Sequence, residues 1–502
     1  MGHPHPSIPL VVGLSGSARN ACVTLCGSDQ VLGSCPQERI TRIRGAGFNS
    51  SGLPDEALDE ILRRAGRVRE DVTTLALADA GPLPRGIGAV RLDHHLAHAC
   101  SAFLPSPFES SVIVVCDHET PHVSVWDGDG TSITRMDWPW HGVGFAELYS
   151  QCAEVLGFVG AEHRMEALAR LDPTYRADWV TPLFSLEEDC LKVTDDWRER
   201  VVAGCGKATH RERTLVAAAL QSRIGDLLIE FLSLVRRRVP QRQRACLGGS
   251  LFYNSHFNST VRLCGVFDDV FVPMDPGNAG LSLGAALHIG GLSRQPVTPF
   301  LGPSYSPDDT KATLDNCKLT YRWVSESEAL TLAVDALQKW QLVAWFEGAM
   351  ECGPRALGAR SILASPFGRY VLDNLNHFLK QRDEWRGYAL TGLEVAVREH
   401  FEGPPASPFM ECDYVPKDIA RFRHVLPVAN AAVRVQTVGT DGPPQFRALL
   451  RAFGDATGYS VLVNTSFNGF QEPIVCSPRD AVRVFFGTGI DMLVFGRLVL
   501  TK

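Results

Sequence analysis

The sequence predicts an α/β protein built from two domains. Two buried strands each run into a polar turn and a second strand, and these strand–turn–strand units start near residues 10 and 112. Segments with helical periodicity follow them, and one segment rich in Pro, Ser and Gly divides the chain. The spacing of about a hundred residues between the two units indicates an internal duplication. Two unrelated hairpins are the alternative.

The first unit comprises a strand over residues 8–17, which ends in small residues, and a second strand over residues 20–25. The second unit covers residues 112–126 and closes with the turn Asp127-Gly128-Asp129-Gly130. Small-residue and hydroxyl turns of this type can place backbone N–H groups around a phosphate.

Four segments of the first domain have the apolar periodicity of helices, and we interpret them as core packing. They cover residues 55–65, 145–156, 162–169 and about 214–237.

The segment Asp93-His94-His95-Leu96-Ala97-His98-Ala99 predicts a short helix that carries a metal site. His94 and His98 are four residues apart and therefore share one helix face, where two imidazoles can hold one divalent ion. Asp117 ends the next apolar run and is a suitable third ligand, because ligands of α/β sheets gather at strand ends. The alternative is that these histidines cap the helix or are satisfied in the core.

Two glycine-containing segments predict ligand contact near the end of the first domain. Gly248 and Gly249 break a strand over residues 245–254, and adjacent glycines let a ligand approach the backbone closely. Asn254 and Asn258 either cap the following helix or touch the ligand. A Gly-rich turn over residues 273–286 enters a small-residue helix, which suits an anion or nucleotide, with a plain tight turn as the alternative.

A linker is predicted over residues 297–310, which lack apolar periodicity. It separates a first domain, residues 1–296, from a second, residues 311–502.

Cations and amide or hydroxyl donors recur at turns and strand ends of the second domain. Arg355 and Arg360 lie among glycines, and a strand over residues 433–437 carries Arg434. Such side chains suit a phosphate or carboxylate ligand, with surface ion pairs as the alternative. The other members of this set are Lys380, Arg382, Arg386, Asn464, Thr465, Ser466 and Asn468.

Composition excludes several classes of partner. The 502 residues carry a net charge of -7, so no basic excess indicates a nucleic-acid ligand. No apolar stretch is long enough to span a bilayer, and the N-terminal residues do not form a signal peptide. The fourteen cysteines lack CxxC spacing. We therefore expect reduced thiols and a cytoplasmic protein with no membrane partner.

The motifs over nearly the whole chain resemble the ATP-dependent O-carbamoyltransferases of antibiotic and nodulation-factor biosynthesis. The resemblance rests on Gly353-Pro354-Arg355-Ala356-Leu357-Gly358 with Arg360-Ser361-Ile362-Leu363, on Asn464-Thr465-Ser466-Phe467-Asn468 with Glu472-Pro473-Ile474, and on the His94/His98 pair. It implies an N-terminal actin/Hsp70-like ATPase-type domain and a C-terminal YrdC-like α/β domain. It also implies that carbamoyl-adenylate is made in the second domain from carbamoyl phosphate and ATP. The carbamoyl group then passes to a hydroxyl of a small-molecule secondary metabolite at the metal-bearing first domain.

The resemblance also implies roles for individual residues. His94, His98, Asp117 and Asn278 correspond to metal ligands, with Fe²⁺ expected at this site and Mg²⁺ accompanying ATP. Gly248, Gly249 and Asn254 correspond to nucleotide contacts, and His94, Arg355, Lys380 and Arg434 to catalytic residues. The carbamoyl phosphate and ATP site would comprise Arg355, Lys380, Arg382, Arg434, Asn464, Thr465, Ser466 and Asn468.

The chain departs from the family pattern at the fourth metal ligand, where Asn278 replaces an acid; Asp275 is a nearby substitute. Two other functions stay open. One is carbamoylation of a different acceptor, an amine or a protein thiol, and the other is a non-catalytic nucleotide-binding scaffold. The sequence predicts neither the acceptor's identity nor the oligomeric state.

Overall fold

The computed structural model describes residues 10–79, 81, 88–207, 209–429 and 431–502. The start of the chain, on which the expectation about a signal peptide rests, lies outside the described residues. No helix within them has both the length and the apolarity needed to cross a bilayer.

The N-terminal half contains three sheets and the helices that pack on them. Its strands are β1 (Leu10–Ser15), β2 (Cys22–Cys26), β3 (Val31–Pro36), β4 (Val72–Leu77), β5 (Gly88–Arg91), β6 (Ser110–Cys116), β7 (Val123–Asp129), β8 (Ser132–Arg135), β9 (Phe184–Glu187), β10 (Cys190–Val193), β11 (Arg244–Gly248) and β12 (Asp269–Phe271). Its helices are α1 (Gln37–Thr41), α2 (Asp55–Arg64), α3 (His94–Phe103), α4 (Phe145–Val155), α5 (Glu162–Ala169), α6 (Trp197–Gly204), α7 (His210–Arg238), α8 (Ser255–Leu263) and α9 (Leu281–Gly290).

The two five-stranded sheets have the same topology. One has the order β3-β2-β1-β4-β5 and the other β8-β7-β6-β11-β12. In each, an antiparallel three-stranded meander is extended by two strands that run parallel to its first strand. The predicted internal duplication is therefore confirmed, and β9 and β10 form a separate hairpin.

Helices α3 and α9 pack against each other beside these sheets, and their contact is close because of one glycine. A Cβ on Gly284 of α9 would lie 2.1 Å from the carbonyl oxygen of Ala97 in α3. The small residues of both helices, which are buried, therefore let the backbones meet. This contact fixes α3, and with it the two histidines that begin the metal motif.

The C-terminal half is organised on one ten-stranded mixed sheet of order β13-β22-β21-β14-β15-β20-β16-β19-β18-β17. Its strands are β13 (Arg322–Trp323), β14 (Val343–Phe346), β15 (Arg360–Ala364), β16 (Ala389–Leu393), β17 (Phe401–Glu402), β18 (Cys412–Pro416), β19 (Val433–Val438), β20 (Val461–Ser466), β21 (Met492–Phe495) and β22 (Leu498–Thr501). Its helices are α10 (Pro307–Asn316), α11 (Glu326–Gln338), α12 (Val371–Asp373), α13 (Glu394–His400), α14 (Ile419–Phe422), α15 (Pro444–Thr457) and α16 (Pro478–Gly487). A π-helix, Asn374–Lys380, continues α12.

The predicted linker is shorter than its sequence suggested. Ser306 caps α10, its hydroxyl accepting from the backbone N–H of Asp309, and the helix starts at Pro307. Residues 307–310 are therefore the first turn of a helix. Composition did not reveal this because Ser and Pro are common both in linkers and at helix starts.

The two halves share a continuous hydrophobic core, which joins residues of β6 and α7 to residues of the C-terminal sheet. Asn258 in α8 donates to the carbonyl oxygen of Glu411 at 2.9 Å, which fastens α8 to the start of β18. The fourteen cysteines are all free, in agreement with the expectation of reduced thiols.

Candidate active site

The predicted metal motif is formed as its spacing indicated. Asp93 caps α3, its carboxylate accepting from the N–H of Leu96 at 2.8 Å, so His94 and His98 occupy the first turns on one face. Asp117 directly follows β6, at the edge of the sheet that faces α3. The fold therefore brings a helix start and a strand end together.

The three side chains converge on one point. Their ligand atoms all lie within 4.8 Å of one another, with Nε2 of His94 and of His98 at 3.1 and 3.7 Å from Oδ2 of Asp117. His98 is fully buried, yet neither of its ring nitrogens has a hydrogen-bond partner among the described residues. Buried polar atoms are rarely unpartnered. Two imidazoles, one of them with unpartnered nitrogens, and a carboxylate together fit a divalent metal ion.

Asp117 is held in the state that a ligand needs. Although burial raises the pKa of its carboxyl, the charge of His98 and hydrogen bonds that include His94 hold that pKa well below its usual value. Its other oxygen, Oδ1, accepts from the N–H of Ser250 at 2.8 Å. The carboxylate is therefore ionised and oriented.

His95 shows the contrasting case on the same helix. Its Nδ1 lies 2.7 Å from the hydroxyl of Ser124, and its Nε2 lies 3.0 Å from the carbonyl oxygen of Glu119. Both nitrogens are satisfied by protein atoms, so His95 is a core histidine. The sequence analysis gave a histidine satisfied in the core as the alternative to a metal ligand, and His95 fits that alternative.

The predicted fourth ligand lies beside the triad. Asn278, in a 3₁₀ turn before α9, lines the same cavity of about 340 Å³ as Asp117. We call this cavity the triad cavity. The carboxylate of Asp275 accepts instead from the hydroxyl of Tyr253 and from the N–H of Gly277, and burial raises its pKa. Among the described residues, Asp275 is not in the group of converging ligand atoms. Both Asn278 and Asp275 line this cavity with Asp117, so the assignment of either one as the fourth ligand stays a prediction.

The two strand-breaking glycines have a packing explanation. Gly249 has φ +100°, and a Cβ there would lie 2.2 Å from the carbonyl oxygen of Cys116. A Cβ on Gly248 would lie 3.1 Å from the carbonyl oxygen of His98. These glycines bring β11 against the metal motif without requiring a ligand, so their nucleotide contact stays a prediction. Asn254 caps α8 through His256 N–H at 3.0 Å, which was the alternative to ligand contact.

Four of the predicted cations of the second half, Arg355, Arg382, Arg386 and Arg434, converge on a cavity of about 220 Å³ between the two halves, whereas Lys380 and Arg360 do not line it. Its wall contains one carboxylate, that of Glu166, and five arginines: Arg170, Arg355, Arg382, Arg386 and Arg434. A buried excess of positive charge and the fork geometry of guanidinium favour a phosphate or carboxylate ligand.

A buried ion-pair network closes one side of this arginine cavity. Oε1 of Glu166 accepts from Nη2 of Arg434 at 2.7 Å and from Nη2 of Arg170 at 2.6 Å. Arg170 also donates to Asp413 at 3.1 Å, while Ser255 donates its backbone N–H to Glu166 at 3.1 Å and its hydroxyl to Asp413 at 2.7 Å. Arg434 is thus held in place by a residue of the N-terminal half.

Arg355 is a cation with little compensation. Its only hydrogen bond to a described residue goes from Nη2 to the carbonyl oxygen of Tyr253 at 3.3 Å, and no described carboxylate lies within 4.0 Å of its guanidinium. Burial and the neighbouring charge of Arg434 lower its pKa to about 9. An anion in the cavity would relieve this repulsion and desolvation.

Lys380 has a more structural role than its sequence suggested. Its Nζ donates to the carbonyl oxygens of Ser466 and Asn468, at 2.6 and 3.0 Å, and to the side chain of Asn468. Burial, together with Arg382, lowers its pKa well below the ordinary value. Its three donors hold the turn after β20, so a direct contact with phosphate stays a prediction.

The remaining predicted residues line the same region. Arg382 lies over the Tyr388 ring, 3.9 Å from its centroid, and Thr465 and Ser466 line the arginine cavity. Asn464 donates to the carbonyl oxygen of Ala356 at 3.0 Å, and its buried Oδ1 has no partner. These positions place strand-end donors beside the arginines, as the sequence predicted.

One loop residue lies in the wall of all these cavities. Pro354, next to Arg355, lines the triad cavity, the arginine cavity, a cavity of about 290 Å³ between them and a larger polar cleft of about 1030 Å³. The triad cavity and the arginine cavity are therefore neighbours that meet at this loop.

Sequence reasoning missed several residues of this region. Glu166 and Arg170 are separated by one helical turn, and the sequence analysis interpreted the helix that contains Glu166 as core packing without a functional role. A usable signal was that Met165, Ala167, Leu168 and Ala169, its neighbours, are all apolar, so a charge among them is buried. The other missed residues are Arg39, His163, Asp413 and Tyr388.

Comparison with known proteins agrees with this geometry. The family models described as Carbamoyltransferase N-terminus and Carbamoyltransferase C-terminus match residues 88–287 and 334–502. The uncharacterized protein sll1178 of Synechocystis is 30% identical over 82% of this chain and 76% of its own length. The 3'-hydroxymethylcephem-O-carbamoyltransferase of Amycolatopsis lactamdurans is 31% identical over 60% of this chain and 56% of its own length.

Among solved structures, the activator of the 2-hydroxyisocaproyl-CoA dehydratase from Clostridium difficile with bound ADPNP covers 56% of this chain and is itself covered to 94%. Its identity is 15% and its TM-score 0.39, which is too low to support any argument. Two family models that jointly span most of the chain, and a relative matched over most of both lengths, are sufficient: the chain belongs to the carbamoyltransferase family.

Proposed function

We propose that this protein is an ATP-dependent O-carbamoyltransferase that acts on a hydroxyl of a small molecule. In this proposal the duplicated N-terminal half is an actin/Hsp70-like domain that carries out transfer. The C-terminal half is a YrdC-like domain, starting after the linker, that makes carbamoyl-adenylate. The observation that carries the proposal is the proximity of a metal-ligand triad to a cavity lined by five arginines, because Pro354 lines both that cavity and the one that contains Asp117.

The first step joins carbamate to the α-phosphate of ATP. Carbamoyl phosphate loses its phosphate to one water, the carbamate oxygen attacks the α-phosphorus of ATP, and pyrophosphate leaves. The balanced products are carbamoyl-adenylate, phosphate and pyrophosphate. Negative charge builds on phosphoryl oxygens in this step, and Arg355, Arg382 and Arg434 would stabilise it in a site screened from water.

The second step transfers the carbamoyl group to the acceptor. A divalent ion, with Fe²⁺ the first candidate, would supply Lewis-acid activation when bound. His94, His98 and Asp117 would hold it, and Asn278 would add an uncharged oxygen ligand. The ionised Asp117 carboxylate, fixed by Ser250 N–H, orients this ligand set.

In this proposal the acceptor binds in a cavity that lies between the two sites. The 290 Å³ cavity is lined by the aromatic rings of Tyr149 and Tyr253, by the polar groups of His118 and Ser150, and by Arg355. A mostly apolar wall with a few polar groups is typical of small-molecule sites. The 3'-hydroxymethylcephem-O-carbamoyltransferase of Amycolatopsis lactamdurans, whose name indicates a hydroxymethyl acceptor, supports a hydroxyl as the attacking group.

The two-step division is tested with two variants and no acceptor. Lys380→Ala should abolish pyrophosphate release, since the turn that carries Ser466 and Asn468 loses its anchor. His94→Ala should leave that release within about twofold and abolish carbamoyl transfer. Pyrophosphate release that disappears in His94→Ala as well would refute the separation of the two steps.

A further inference from the structure

Arg39, in the short helix α1, is a buried cation whose donors are largely unused. The residue is 4% exposed. Its Nη2 donates to the carbonyl oxygen of Gly353 at 3.1 Å, whereas its Nε and Nη1 are buried and have no partner in the part of the chain that the structure describes. Leaving two guanidinium donors unsatisfied in the interior is costly.

Neighbouring carboxylates do not account for Arg39. The nearest one, Oε1 of Glu38, lies 3.8 Å from Nε, which is beyond hydrogen-bond distance, and its other oxygen accepts from Gly45 N–H. Asp275 accepts from Tyr253 and Gly277 instead. Among the described residues, the two orphaned donors therefore have no protein acceptor, while the Arg39 side chain belongs to the wall of two cavities.

The location of Arg39 is specific. It lines both the triad cavity, together with Asp117 and Asn278, and the large polar cleft, together with Lys380 and Arg382. Its one hydrogen bond goes to the residue before Pro354, the residue that all the cavities share. Arg39 thus lies between the triad cavity and the polar cleft that contains Lys380 and Arg382.

We propose that Arg39 is the leaving-group subsite of the transfer step and binds the phosphate of the adenylate. The inference rests on the proposed function for its ligand. In transfer, the acceptor oxygen forms a bond to the carbamoyl carbon, and the bond from that carbon to the phosphate oxygen breaks. The electron pair leaves with AMP, and the acceptor proton passes to water.

The charge change explains why an arginine suits this position. The phosphate of carbamoyl-adenylate carries one negative charge, and that of released AMP approaches two. A cation with two free donors on the phosphate therefore binds the departing group more strongly than the intact ester, which accelerates its departure. Arg39 would also keep AMP near the triad and away from the five arginines.

The test is AMP binding by titration calorimetry with the full chain. Arg39→Met should weaken AMP binding at least about tenfold, as expected for the loss of a charge-assisted contact. Arg39→Lys, which keeps the charge but loses the fork, should bind AMP with intermediate affinity. Arg294→Met is the matched control, since Arg294 stacks on Phe103 and lines none of these cavities; its AMP affinity should equal that of wild type.

Several results would overturn the subsite. AMP affinity unchanged in both Arg39 variants is one, and Arg39-dependent binding of inorganic phosphate but not of AMP is another. Loss of carbamoyl-phosphate-dependent pyrophosphate release in Arg39→Lys would place Arg39 in the first step instead. If wild type releases no pyrophosphate, the proposed function fails, while the AMP titration still decides whether Arg39 binds a phosphate ester.

Discussion

Glu166 and Arg434 form an ion pair of 2.7 Å that joins α5 of the N-terminal half to β19 of the C-terminal half. Both side chains are almost fully buried, at 6% and 13% exposure. The pair therefore positions a predicted catalytic arginine by means of a residue from the other half. It also makes the stability of the protein depend on one carboxylate.

Glu166→Gln should lower the free energy of unfolding by about 3 kcal/mol, because it leaves Arg434 and Arg170 buried without their shared counter-charge. Denaturant unfolding measures this loss. Glu328→Gln is the control, since Glu328 pairs with Arg322 at the exposed surface and should change stability by less than about 1 kcal/mol. Equal effects in the two variants would mean that the buried network does not hold the halves together.

The same pair predicts a pH dependence of stability. Despite burial, Arg434 and the other arginines hold the pKa of Glu166 far below its ordinary value of 4.5. At a pH between the pKa of Glu166 in the folded protein and that in the unfolded chain, the unfolded chain binds the proton and the folded protein does not. Stability therefore falls as pH falls below 4.5. The difference in unfolding free energy between wild type and Glu166→Gln should be constant above that pH and shrink below it. A constant difference down to acid unfolding would contradict the shifted pKa.

Arg355→Met should separate activity from stability. Removing a buried, poorly compensated charge should leave the free energy of unfolding unchanged or raise it by about 1 kcal/mol, while pyrophosphate release falls at least about 100-fold. Arg360→Met provides the contrast, because that fully buried arginine donates to four backbone carbonyl groups and its loss should destabilise the fold. A large loss of stability in Arg355→Met would show that Arg355 is a structural residue like Arg360.

Metal binding should distinguish two histidines of one helix. His98→Gln should lose the divalent ion on dialysis, whereas His95→Gln should keep it, since His95 is satisfied by Ser124 and Glu119. Metal content by mass spectrometry, with thermal unfolding to confirm that both variants fold, gives the answer. Equal metal content in the two variants would exclude His98 as a ligand.

The sequence was sufficient where function lies in local spacing. His94 and His98 are four residues apart on one helix, and Asp117 ends a visibly apolar strand, so all three could be found without the fold. Arg39 could not be found in this way, because its burial and its contact with Gly353 arise only when α1 meets a loop over three hundred residues away. Local periodicity carries no information about such partners.

Lys380 was selected from the sequence, but its role was not predicted. The sequence correctly placed it near Ser466 and Asn468, but only the tertiary contacts reveal that its amino group holds their turn together. A cation near a predicted phosphate site looks the same in sequence whether it contacts the phosphate or supports the residues that do.

The most direct measurement is pyrophosphate release from ATP by the purified protein, with and without carbamoyl phosphate and in the absence of any acceptor. Release that depends on carbamoyl phosphate, with equimolar phosphate, is the predicted result and would establish adenylate formation. ATP binding without such release would contradict the proposed carbamoyltransferase activity and favour a nucleotide-binding scaffold.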